Sequence, residues 1–107
     1  MKLPLIPAVL ALALCAPTAH AESPDIDALC SSLYDFAEIA MTVRQNGAPL
    51  PKAIEILDKH KDALIYPSLR SILDAAYSEP RWSGEETRAR AIQDFSNDVA
   101  AICYGVD

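Results

Sequence analysis

Residues 83–104, SGEETRARAIQDFSNDVAAICY, decide the fold. Within them Ala89, Ile92, Phe95, Val99, Ile102 and Cys103 follow at spacings of three, three, four, three and one. Residues three and four apart share a helix face, so this pattern predicts an α-helix with one apolar stripe turned inward. Ser83-Gly84-Glu85-Glu86 reads as its capping box: the serine oxygen takes one orphan amide and Glu86 reaches back to another. Cys103 closes the stripe, and its partner is the next question.

The chain of 107 residues holds three cysteines, Cys15, Cys30 and Cys103. Met1 and Lys2 give a positive start, residues 8–16 are an apolar run, and Ala19-His20-Ala21 supplies small residues for cleavage. This pattern predicts a secretory signal peptide over residues 1–21, with residues 22–107 left as a single helical domain. Pro4, Pro7 and Pro17 interrupt the apolar run, which is too short for a bilayer of about 30 Å. Lipid attachment at Cys15 is the competing reading, but Leu14 stands where that processing wants a small side chain. Cleavage leaves Cys30 and Cys103 in an oxidising compartment, periplasmic or extracellular, where the two thiols are expected to form a disulfide. A loop of that length is worth about 4.4 kcal/mol in the chain-entropy model, comparable with the whole stability of so small a domain. A metal or redox site fits poorly, since there is no C-x-x-C and His60 alone cannot complete a tetrahedral set.

The rest of the mature chain is helical in pattern. Ser23-Pro24-Asp25 reads as a helix start, with a capping hydroxyl, a proline at the first helical position and an acid at the positive end of the dipole. Ile26, Leu29, Cys30, Leu33, Ala37, Ala40 and Met41 then form one face, ended by Gly47 as a left-handed cap. Leu50, Ala53, Ile54 and Leu57 mark a short second helix reaching His60, with Glu55 and Lys59 four apart on its solvated side. Leu64, Ile65, Leu69, Ile72, Leu73 and Ala76 make a third apolar run, in which Pro67 either starts the helix or bends it. The expected architecture is all-α: about four short helices, the first and last packed side by side and joined through Cys30 and Cys103.

Charge narrows the partners. The chain carries 15 acidic against 9 basic residues, and loss of Lys2 with the leader makes the balance more negative still. Nucleic acid and anionic membrane surfaces are therefore not expected partners, and no membrane insertion is expected after signal cleavage. Solubility is the plain explanation of the acidity; steering toward a basic partner is the other.

No catalytic or cofactor signature emerges. His60 lies among Asp58, Lys59, Lys61 and Asp62, which reads as an exposed helix end rather than a general base. The serines have no second mature histidine with which to build a triad. Glu86 with Arg90, and Arg90 with Asp94, read as surface ion pairs. The expectation is a non-enzyme without metal or cofactor. Arg44 and Gln45 before Gly47, and Tyr77, Arg81 and Trp82 in the connection to the last helix, are the candidate binding residues, because loop aromatics and arginines make binding hot spots. Each also has a structural alternative: Arg44 can cap carbonyls, Tyr77 can close the core, and Trp82 can pack beside the start of the last helix. Tyr104, next to the bridge, is open in the same way.

The exported start, Cys30, residues 40–47 (AMTVRQNG), Ala76-Tyr77 with Pro80-Arg81, and Ile92, Phe95, Asn97 and Cys103 together resemble a family of small uncharacterised helical proteins, proteobacterial and phage-associated. Its members carry a secretion signal and a first and last cysteine placed like these. The resemblance implies a periplasmic address and a helical fold, and it transfers no catalytic residue. Pro67 departs from it and leaves the start of the third helix open. Two functions follow as expectations. One is a periplasmic protein-binding protein of inhibitor, immunity or envelope-accessory type. The other is an acid- or stress-activated periplasmic chaperone, since protonating the carboxylates leaves the basic residues dominant and could loosen the fold.

Overall fold

The computed structural model describes residues 25–106. The leader over residues 1–21, Cys15 and the Ser23-Pro24 start lie outside them. Four α-helices run in chain order among the described residues, with no strand: α1 (Ile26–Gln45), α2 (Leu50–Leu57), α3 (Tyr66–Tyr77) and α4 (Glu85–Tyr104). α1 is the central element. It packs along α4 on one side and α3 on another, while α2 leans on α3. Cys30 near the start of α1 is bonded to Cys103 near the end of α4, with Cα atoms 5.6 Å apart, so the two long helices run antiparallel. The all-α bundle with its first and last helices stapled is thus the observed fold.

The helix starts differ from their sequence readings. Asp25 caps α1, its carboxylate accepting from Ala28 N–H at 3.2 Å. The capping box of α4 does not form. Gly84 is the cap residue at φ 94°, with no side chain bonded to the first turn, and Glu85 and Glu86 serve only as acids at the positive helix end. Pro67 starts α3 rather than bending it, because a first-turn residue needs no amide proton. Leu64 and Ile65 therefore fall before the helix and are exposed. α2 ends at Leu57, and residues Asp58–His60 continue as one 3-10 turn.

The core is one continuous cluster of Ala37, Ala40 and Met41 from α1, Ala53 and Leu57 from α2, and Ile72, Leu73 and Ala76 from α3, with Phe36, Phe95 and Val99 packed against it. Small alanines at the crossings let the helices approach closely. α4 contributes a serine as its one buried residue: Ser96 is sealed, its hydroxyl donating to Ile92 O at 2.7 Å. Ile102 is the largest departure from the expected inward stripe, at 80% exposed. The bridge fixes Cys103 toward α1, and one residue of helical rotation, about 100°, turns Ile102 away over the open groove between α3 and α4. Ala89, Ile26 and Leu29, near the helix starts, are exposed.

Ion pairs contribute little. Among the described residues only Lys52–Glu55 at 3.8 Å and Arg70–Asp74 at 3.3 Å lie within 4.0 Å, and both are exposed. The pairs read from sequence, Glu86–Arg90 and Arg90–Asp94, do not form. Long exposed side chains gain too little in water to offset the entropy of being held together.

Candidate functional site

The end of the bundle opposite the bridge carries the five candidate residues, and the fold brings them together. α1 terminates there in a left-handed glycine cap: Gly47 stands at φ 88°, and Ala48 N–H donates to Val43 O at 3.1 Å. That turn leaves Arg44 and Gln45 facing residues 78–84, the connection between α3 and α4. Gln45 is 1% exposed. Its Nε2 donates to Pro80 O at 2.8 Å, and its Oε1 accepts from Trp82 N–H at 2.8 Å. One buried side chain thus pairs both faces of the connecting backbone, which meets the requirement that sealed polar groups find partners.

Arg44 and Arg81 complete the clasp from either side. Arg44 Nε donates to Glu79 O at 2.9 Å, and its guanidinium carbon sits 5.4 Å from the centroid of the Tyr77 ring. The Tyr77 hydroxyl donates to Ala48 O at 2.7 Å. Burial pushes the Tyr77 pKa above its ordinary value, and the Arg44 charge works against that rise. Arg81 Nε and Nη2 both reach Gln45 O at 3.4 Å. Its guanidinium lies only 3.0 Å from where a β-carbon on Gly47 would stand, so glycine there serves both the turn and the approach of Arg81.

Trp82 stands apart from this internal bonding. Its backbone is held through its N–H, while the residue as a whole is 44% exposed. The indole forms one wall of a hollow of about 260 Å³ between the connection and α4. Ala91 and Phe95 supply the rest of its apolar lining. Glu79, Arg90, Asp94 and Asp98 supply its charged part. Of the α4 residues lining this hollow, the sequence spacing predicts Phe95 on the inward stripe and Arg90 with Asp94 in an ion pair, while no sequence signal singles out Asp98. Tyr104, at the other end, donates to Asp27 O at 3.4 Å beside the bridge.

One further hollow stands out on the surface. An apolar hollow of about 330 Å³ lies between α1, α2 and α3, with Ile39 and Ile56 exposed among its lining residues and His60 the one titratable group there. No group of three or more histidine, cysteine or carboxylate side chains among the described residues is placed to hold a metal ion. No helix among them is long and apolar enough to cross a membrane. Comparison with protein-family models, with curated proteins and with solved structures finds no match to this chain.

Proposed function

We propose that the protein is a small, non-enzymatic binding protein of the periplasm or extracellular space, of inhibitor, immunity or envelope-accessory type, which holds a protein partner through the face around Trp82. The reading includes cleavage of the leader over residues 1–21 and kinship with the small exported helical proteins that carry a first and last cysteine. The observation that carries it is the presentation of Trp82. A large aromatic is nearly half exposed on a connection whose backbone is pinned by Gln45 at two points and by Arg44 at a third. A loop fixed before binding loses little entropy on binding, and exposed tryptophans on such loops are frequent hot spots.

Oxidised protein and a Trp82→Ala variant, immobilised side by side against envelope extract, test the proposal. Capture of a stoichiometric partner by the wild type, weakened at least about tenfold in the variant, is the expected result. Equal capture by both, or no stoichiometric partner with either, overturns it.

The acid-activated chaperone is supported by the exposed apolar side chains Ile39, Ile56, Leu64 and Ile102. Against it stands the small electrostatic contribution to the fold. Only two ion pairs lie among the described residues and both are exposed, so their loss on acidification removes little, and the bridge resists opening. Dye binding and client aggregation at about pH 3 separate the two readings, since a rigid binder stays closed and idle there.

A further inference from the structure

We propose that the hollow beside Trp82 receives a lysine or arginine side chain of the protein partner. This rests on the protein-binding reading of the same face and names the chemistry that face selects.

Three observations converge. The exposed indole of Trp82 offers the aromatic surface over which a cation is most strongly attracted. Phe95 and Ala91, half-buried residues lining the same hollow, offer apolar surface for the methylene stem that precedes a basic head. Glu79 from the connection and Asp94 and Asp98 from α4 place three carboxylates around it against one lining guanidinium, Arg90, and none of the four pairs within 4.0 Å with another of the described residues. Those carboxylates are too dispersed to gather on a metal ion. Spread over two elements and joined to an aromatic wall, they suit an extended organic cation. The net charge of −6 over the whole chain draws basic partners in the same direction. The wall itself is held before any ligand arrives: Glu79 and Trp82 are the residues whose backbones Arg44 and Gln45 fix. Arg90 is the one basic residue lining the hollow, while Arg88 turns its guanidinium to Trp82 O at 3.5 Å and Arg44 to Glu79 O, so neutralisation of Arg90 should favour binding.

Trp82 is the chain's single tryptophan, so its fluorescence reports on this hollow alone. The probe is the blocked tripeptide glycyl-arginyl-glycine, titrated into the oxidised protein beside the same peptide with uncharged citrulline in place of arginine. The arginine peptide is expected to change the emission saturably and to bind about fivefold more tightly than the citrulline peptide, a preference that falls as salt is raised. The double variant Asp94→Asn with Asp98→Asn is expected to remove most of that preference, and Arg90→Gln to increase it. Equal binding of the two peptides, an unchanged preference in the double variant, or no saturable response overturns the proposal. If it is overturned while Trp82→Ala still loses the captured partner, the partner is held by uncharged contacts and the protein-binding reading stands without it.

Discussion

The side chain of Gln45 holds the backbone of Trp82: Oε1 at the end of α1 accepts from the Trp82 N–H at 2.8 Å, across 37 residues of sequence. The same amide donates to Pro80 O, and the residue is sealed from solvent. Replacing it by an apolar side chain of similar size leaves a backbone donor and acceptor of the connection without their partly buried partners. Gln45→Leu is therefore expected to cost about 2 to 4 kcal/mol in chemical denaturation. A loss below about 0.5 kcal/mol would show that water takes over both bonds.

Tyr77 predicts a pH dependence with a definite sign. Its folded pKa is raised, chiefly by burial, above the unfolded value of about 10. The neutral hydroxyl, which donates to Ala48 O, is therefore the form the fold prefers. Its contribution is fully present below the unfolded pKa and is lost as pH rises through the folded one. The wild type should lose stability more steeply than Tyr77→Phe above about pH 10, followed by urea midpoints across that range. Parallel pH profiles for the two proteins would contradict this.

Removal of the bridge tests the staple. Cys30 is fully buried in contact with α4, and the loop it closes spans 73 positions. The double variant Cys30→Ala with Cys103→Ala is expected to lose about 4 kcal/mol, read as a fall in the urea midpoint. A change under about 1 kcal/mol would mean that helix packing alone aligns α1 with α4.

Ile102 and Met41 make a contrasting pair. Both lie on apolar stripes by spacing, yet Met41 is 1% exposed and Ile102 80%. Met41→Ala should cost about 2 to 5 kcal/mol, and Ile102→Ser should change thermal stability by no more than about 0.5 kcal/mol. Equal effects would place Ile102 in a contact that the fold of one chain does not make.

That contrast shows where sequence reading succeeds. The four helices, the Gly47 cap and the Cys30 to Cys103 bridge follow from periodicity, glycine chemistry and cysteine arithmetic, all of which are local or nearly so. Ile102 was misread because spacing gives a face without saying how far around the helix its neighbours reach. Ser83 and Glu86 have the composition of a capping box, but the positive φ of Gly84 turns the chain out of the geometry the box needs. Gln45 reads as a candidate binding residue, and its position four after Met41, itself four after Ala37, also continues the buried stripe of α1. A polar residue on such a stripe signals a buried acceptor and donor waiting to be paired. Which backbone it would pair lay 35 to 37 residues away and depended on the packing of α3. The hollow beside Trp82 was illegible for the same reason, being built from two segments that only the fold places side by side.

Presentation of Trp82 by a fixed connection is the premise of both functional proposals, and the exchange rate of its own backbone amide measures it directly. Held by Gln45, that proton should exchange at least about a hundredfold more slowly than in an unstructured chain, and the protection should vanish in Gln45→Leu while the amides within α4 keep theirs. Exchange of the Trp82 amide at the unprotected rate in the oxidised wild-type protein would contradict it.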